Sequence, residues 1–206
     1  MRKQLKLEKV EILERKTAYQ GYFRIDAYKL RHTLFGGGWS RILSREIFKR
    51  GHAAGLLAFD PDRDEFILCE QFRIGAYAAG AEPWQLEVVA GIIEDGEHPE
   101  QVARRESQEE IGQTVTDLWP IQKYLVSPGG ASESIYLYLG RVSSIDAEGI
   151  FGAANEDEDI RVKVIGENEL QSLMNSGALT NAMTLIAAQW FFLNREKIRQ
   201  KWQSTS

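Results

Sequence analysis

Apolar and polar positions follow two different periods along the chain, and the change between them divides it. In Tyr22 to Leu30, YFRIDAYKL, strict alternation puts Phe23, Ile25, Ala27 and Lys29 on one face of a strand. A second run, Trp39 to Phe48, follows across Phe35-Gly36-Gly37-Gly38, so the pair reads as a β-hairpin. The three glycines open no helix, which makes them a turn rather than a phosphate cradle. With Lys9 to Arg15 as a further strand, residues 1–50 form a small antiparallel β-subdomain. At that size a lone core is marginal, so the main domain or a second subunit is needed to bury one face.

Residues 51–206 read as a mixed α/β domain. Two apolar runs, Ala53 to Phe59 and Phe66 to Phe72, flank a turn at Asp60-Pro61-Asp62-Arg63-Asp64 and predict paired strands. Trp84 to Ile93 predicts one more strand, and Pro99 opens a charged helix that runs to Ile111 before Gly112 ends it. Ile121 to Val126, Ser134 to Val142 and Ile160 to Val164 predict three further strands. A short helix follows at Glu167 to Asn175. Thr180 then caps a long helix through Trp202, whose stripe of Leu185, Ile186, Gln189, Trp190 and Leu193 reads as core or dimer contact.

Composition narrows the class. The chain has 206 residues, 43% hydrophobic and 27% charged, within the ordinary globular range, and there is no internal repeat. Its net charge of −5 and the lack of any Lys/Arg cluster speak against nucleic acid as the main partner. The single cysteine, Cys69, can form no intrachain disulfide and has no ligand neighbours at zinc spacing, which fits a reducing cytoplasm. The basic start MRKQLKLEKVEILERK lacks an apolar run, and no stretch approaches the ~20 apolar residues of a spanning helix, so no membrane association is expected.

The chemistry concentrates in Gly91 to Gln113, where seven of 23 residues are acidic. At about 100° per residue, Glu109 and Glu110 lie about 60° and 40° to either side of Glu106, so three carboxylates share one helix face. Such crowding repels, and a divalent cation among the carboxylates would relieve it. All the donors are oxygens, which suits Mg²⁺ or Mn²⁺ and a phosphate-bearing substrate. Taken by themselves, the same charges read more readily as a solvated acidic face relieved by Arg104 and Arg105, since charge runs usually face water. No GxSxG elbow and no Cys/His pair argues for a covalent intermediate, and His32, His52 and His98 are scattered.

The spacing adds to this. Gly91, Glu97, Arg105-Glu106, Glu109-Glu110 and Gly112 resemble the signature box of the Nudix hydrolases at seven fixed positions, while Ser107 and Gln113 stand where that box usually has apolar residues. The rest of the chain is similar to the branch of ADP-ribose pyrophosphatases and their nucleotide-sugar relatives. The similarity runs through Leu86-Glu87-Val88-Val89-Ala90-Gly91, Ser127-Pro128-Gly129-Gly130 and Glu156-Asp157-Glu158-Asp159-Ile160.

What the resemblance implies is an α/β/α sandwich with the small N-terminal β-subdomain beside it, and hydrolysis of a nucleoside diphosphate linked to another group. The Ala90 carbonyl and the Glu106 and Glu110 carboxylates would hold Mg²⁺, with Mn²⁺ as a substitute and Glu109 nearby. Glu156 would activate water and Glu158 would complete the metal cluster, with the two roles open to exchange. Arg73 would pair with a phosphate. Tyr22, Phe23, Arg45 and Arg50 would meet adenosine, partly across a homodimer, and Ser127, Pro128, Gly129 and Glu133 would meet the terminal ribose. ADP-ribose is the expected substrate, with GDP-mannose or another nucleotide sugar as the rival, and a sensing module that binds without cleaving as the rival of another class.

Overall fold

The computed structural model describes residues 9–152 and 158–203. Chain contacts separate two compact units, one of residues up to Gly51 with Leu125–Ser134 and the other of His52–Tyr124 with Ile135 onward.

In the first unit, β1 (Val10–Gln20), β2 (Arg24–His32) and β3 (Leu43–Lys49) form an antiparallel sheet in that order. The glycine segment is the expected turn: Gly37 and Gly38 take φ of 91° and 78°, values only glycine adopts freely, and Leu34 N donates to Gly38 O at 3.0 Å. β1 runs five residues beyond the expected Arg15, through two register shifts at Ile12/Glu14 and Thr17/Tyr19. Alternation hides a charge on the other face of β2. Asp26 is buried and accepts Arg15 Nη2 at 2.8 Å and Arg24 Nη2 at 2.9 Å, and the Arg15 bond above all holds its carboxyl below the ordinary range. Leu125–Ser134 joins this sheet where Phe48 N donates to Gly130 O at 2.8 Å and Ser132 N to Phe48 O at 3.2 Å.

The second unit is an α/β/α sandwich. Its sheet has the order β10-β11-β5-β4-β9-β8, from β4 (His52–Asp60), β5 (Glu65–Phe72), β8 (Asp117–Leu125), β9 (Ser134–Arg141), β10 (Gly149–Phe151) and β11 (Ile160–Gly166). β4 and β9 are parallel, whereas the β4–β5 and β5–β11 pairs are antiparallel. β4 and β5 are apolar on both faces because both are covered. Ala53, Leu57, Phe59, Phe66 and Leu68 pack toward α3 (Glu167–Ser176) and α4 (Ala182–Gln203), while Ala54, Leu56, Ala58, Ile67 and Cys69 pack toward α2 (Pro99–Ile111).

The expected single strand from Trp84 to Ile93 is two. β4 pairs with β5 only at Ala58–Asp60, so the hairpin splays open beyond that point. β6 (Trp84–Glu87) fills one side of the opening against Cys69–Phe72 of β5, and β7 (Val89–Ile93) fills the other against His52–Leu56 of β4. The chain changes partner at Val88, which delivers Ala90 and Gly91 to Glu110 and Glu106 in the C-terminal half of α2. A five-residue helix, α1 (Ile74–Ala78), was not expected from the pattern.

α4 also departs from expectation. Its cap is Asn181, whose Oδ1 accepts Thr184 N at 3.1 Å, while the Thr180 hydroxyl turns to Gln85 Oε1 at 2.7 Å. The face it buries is Thr184, Ala187, Ala188, Phe191, Ile198 and Trp202, and Leu193 is 84% exposed. Small residues allow the helix close to the sheet, so bulk alone misplaces the stripe. No helix among the described residues is long and apolar enough to cross a membrane.

Candidate active site

Helix α2 carries the acidic face, and the structure sorts its carboxylates by burial. Val102, Ala103, Ser107 and Ile111 face the sheet, and Glu110 goes in with them at 3% exposed. Glu106 is largely covered, whereas the Glu109 side chain is 51% exposed. A fully solvated acidic face is therefore not what forms. Arg105 does relieve it, with Nη1 at 2.8 Å from both Glu106 Oε1 and Glu109 Oε2, but Arg104 turns away to the Val115 carbonyl. Ser107 fits its buried position without an apolar side chain because its hydroxyl donates to Gln113 O at 2.9 Å. Gly112 then closes the helix with φ of 66°.

The partner change at Val88 brings the β7 backbone against this face. Ala90 N donates to Glu110 Oε2 at 3.2 Å, and the Cys69 thiol donates to the same oxygen at 3.7 Å. A Cβ at Gly91 would fall inside the Glu106 carboxylate, so only glycine leaves that side chain its place. Across the sheet, β10 and β11 pair through Phe151 and Ile160, which brings together the chain on either side of the late acidic segment. Glu158 lies there and acts electrostatically on both Glu106 and Glu110. Glu156 lies outside the described residues.

Burial and mutual repulsion set the charge state. Burial first, then Glu106, pushes Glu110 up to about 8, against the opposing Ala90 hydrogen bond. Burial also raises Glu106, and it carries the Cys69 thiol well up, with Glu110 adding to the effect. These carboxylates hold two negative charges at low cost only beside a cation. Among the described residues no three His, Cys, Asp or Glu side chains converge as a metal cage. The donors gathered here, the buried Glu110 carboxylate and the largely covered Glu106 carboxylate beside a backbone kept clear by Gly91, are hard oxygens suited to a divalent cation.

Arg73, at the end of β5, has Nε and Nη2 at 3.0 and 2.8 Å from Glu87 Oε2, and Glu110 and Glu158 act on its guanidinium. Neither the Glu87 pair nor the Cys69 thiol was anticipated. The signal for Glu87 is a lone carboxylate inside the apolar run Leu86-Val88-Val89, whereas a cysteine at an apolar strand position gives none.

The remaining candidates lie in the first unit. Tyr22 and Phe23 meet edge to face at 4.8 Å, Phe23 packs on Phe48 at 4.9 Å, and the Arg50 guanidinium lies 5.7 Å from the Phe23 ring centre. Arg50 Nε is 3.3 Å from Oε1 of the buried Glu133. Ser127, Pro128 and Gly129 form a turn in which Ser127 O accepts Gly130 N at 3.0 Å and Ala131 N at 2.8 Å. Tyr22 precedes β2 rather than lying in it and is 87% exposed. Arg45 donates to Ser44 O and borders a groove of about 490 Å³ with Glu14, Lys16, Tyr28 and Lys29.

Comparison with known proteins places this arrangement. The NUDIX domain family matches residues 49–182. An ADP-ribose pyrophosphatase of Escherichia coli (strain K12) is 48% identical over 193 residues, covering 94% of this chain and 92% of the relative. A GDP-mannose pyrophosphatase of Pectobacterium atrosepticum is 30% identical over 181 residues, covering 87% and 92%. A crystal structure of an ADP compounds hydrolase superposes with a TM-score of 0.69 at 22% identity, covering 94% of this chain and 96% of that one, which supports the fold.

Proposed function

The chain belongs to the Nudix family, and from that membership we propose that it hydrolyses the pyrophosphate of ADP-ribose to AMP and ribose 5-phosphate. The observation that carries this reading is the match to ADP-ribose pyrophosphatases along nearly the whole chain, which is far stronger than the match to the GDP-mannose enzymes. The intact carboxylates of α2 favour turnover over sensing, since a module that only binds has no use for a buried Glu110 and a largely covered Glu106 held at a partner-changing strand.

Glu106, Glu110 and the Ala90 carbonyl are the residues we assign to the metal, with Mg²⁺ as the natural ion, Mn²⁺ as its substitute and Glu109 close by. Such an ion, when bound, would supply neutralisation of phosphate charge and a more acidic water. Glu156, beyond the described residues, takes the proton as the water oxygen bonds to phosphorus and the bridging P–O bond breaks, and Glu158 completes the metal's ligands, with the two roles open to exchange. Arg73 offers a guanidinium to the diphosphate, where a planar fork of donors matches phosphate oxygens. Tyr22, Phe23, Arg45 and Arg50 are assigned to adenosine, with an aromatic face for the base, and Ser127, Pro128, Gly129 and Glu133 to the ribose side.

We assign residues 1–50 to dimerisation and adenosine binding and 51–206 to hydrolysis. The homodimer reading is supported by apolar side chains left exposed on the first unit, among them Val10, Ile12, Tyr19 and Ile42. A cytoplasmic location fits the lone buried cysteine. Chromatography of products from ADP-ribose, ADP-glucose, GDP-mannose and NADH, with Mg²⁺ and then with EDTA, tests the reading. AMP formed fastest from ADP-ribose and only with metal supports it. Preference for GDP-mannose overturns the nucleoside assignment, and cleavage of none brings the sensing module forward.

A further inference from the structure

Glu87 is a buried carboxylate in an otherwise apolar stretch, and it is fully engaged. Its Oε2 accepts Arg73 Nε at 3.0 Å and Nη2 at 2.8 Å, with Gln71 Nε2 at 3.4 Å, and its Oε1 accepts Asn181 Nδ2 at 2.8 Å. Asn181 is at the same time the cap of α4, its Oδ1 taking Thr184 N at 3.1 Å and Thr184 Oγ1 at 3.3 Å. The Thr184 hydroxyl oxygen in turn accepts Val88 N at 3.1 Å, and Thr180 Oγ1 donates to Gln85 Oε1 at 2.7 Å. Thr180, Asn181 and Thr184, at the entry to α4, thus tie the helix to β6 and the residue after it at three points, Gln85, Glu87 and Val88.

An ion pair is a weak source of stability whether it is exposed or buried, so stability alone is a poor account of this one. Here the carboxylate is buried and the Arg73 side chain is 45% exposed. Both bonded nitrogens of Arg73 go to one oxygen, which fixes the plane of the guanidinium and leaves Nη1 outside the pair. That guanidinium lies within electrostatic reach of Glu110 and Glu158.

We infer that Asn181 and Glu87 are positioning residues that hold the Arg73 guanidinium in one orientation beside the α2 carboxylates, so that Nη1 meets a phosphate oxygen of the substrate. The inference rests on the diphosphate-hydrolysis reading above. Asn181 fixes the Glu87 carboxylate through Oε1, Glu87 fixes Arg73 through Oε2, and the cap ties both to the rigid start of α4. Guanidinium orientation matters because two-point recognition of phosphate is directional.

The test is a double-mutant cycle on the full chain with Asn181→Asp and Arg73→Ala. Aspartate keeps the oxygen that caps α4 but removes the donor to Glu87 and sets a second carboxylate against it. Asn181→Asp should raise KM for ADP-ribose about tenfold, the loss of roughly one good directed contact, with kcat little changed, while the second carboxylate beside the buried Glu87 lowers the melting temperature. In the Arg73→Ala background the same substitution should add nothing. A KM effect of Asn181→Asp that is absent, or equal in both backgrounds, overturns the inference. Asn181→Ser, which also keeps a cap oxygen, carries the test if the aspartate variant melts early.

A second readout needs no turnover. The Arg73 Nε–H resonance, assigned by its loss in Arg73→Lys, should be sharp and protected from exchange in the wild type and broadened in Asn181→Asp. Protection in both overturns the inference. Protection lost only in the variant, in a protein that leaves ADP-ribose intact, sustains the brace and sinks the hydrolytic reading.

Discussion

The Cys69 thiol lies 3.7 Å from Glu110 Oε2, inside the core between the sheet and α2. A thiol held there has no access to reagent, and burial together with the facing carboxylate raises its pKa well above the ordinary value. Thiolate is the reactive form, so the folded protein should react with a disulfide reagent at pH 8 at least about 100-fold more slowly than a free cysteine, and fully once unfolded in guanidinium. Fast labelling of the native protein would show that this side of α2 opens.

The state of Glu110 makes metal-free stability depend on pH. Its folded pKa of about 8 lies above the ordinary 4.5, so between those values the native state holds a proton the unfolded chain has lost. Stability therefore falls as pH rises through that window. In EDTA, the urea midpoint should drop from pH 5 to pH 8.5, by a free energy on the order of a few kcal/mol at most. Glu110→Gln should flatten the slope, and Mg²⁺ should restore stability at the alkaline end. A midpoint indifferent to pH, or higher at pH 8.5, would contradict the burial of this carboxylate as the controlling cause.

Much of this was legible in the sequence because the physics was local. Ala53–Phe59 and Phe66–Phe72 read as buried strands since both faces are covered, and Pro99 and Gly112 mark the ends of α2 by their backbone chemistry alone. What failed depends on contacts distant in sequence. The break at Val88 exists because β4 and β5 diverge, and nothing inside Trp84–Ile93 encodes that divergence. Thr180 is as good a capping residue as Asn181, and Gln85, nearly a hundred residues earlier, decides between them. Among the site residues, Glu106 and Glu110 were visible from helical spacing and family resemblance. Their separation from the exposed Glu109 depends on how the sheet receives the helix.

Removing the buried carboxylate of α2 tests the metal assignment directly. Glu110→Gln preserves shape and can still accept from Ala90 N, so the fold should survive, as circular dichroism would show. Turnover of ADP-ribose with Mg²⁺ should fall by on the order of 1000-fold or more, since charge stabilisation by a held metal is worth several kcal/mol. Glu109→Gln, on the exposed side of the face, should have a much smaller effect. Equal losses in the two variants, or unchanged turnover in Glu110→Gln, would remove the distinction that burial draws between them.

Gly91 separates folding from chemistry most sharply. Its φ is not positive, so alanine meets no backbone strain there, and β7 would gain a residue better suited to ordered structure than glycine. The obstacle is the Glu106 carboxylate, which occupies the space of the new methyl group. That carboxylate is the far end of a flexible side chain, so it can swing aside while the strand stays in place. Gly91→Ala should therefore keep its melting temperature within a few degrees of the wild type yet need at least about tenfold more Mg²⁺ for half-maximal turnover, a misplaced ligand being worth about 1.4 kcal/mol or more. A metal titration by activity, paired with a thermal melt in EDTA, reads both quantities. If Mg²⁺ dependence were unchanged while the melt was also unchanged, Glu106 would not be holding the ion.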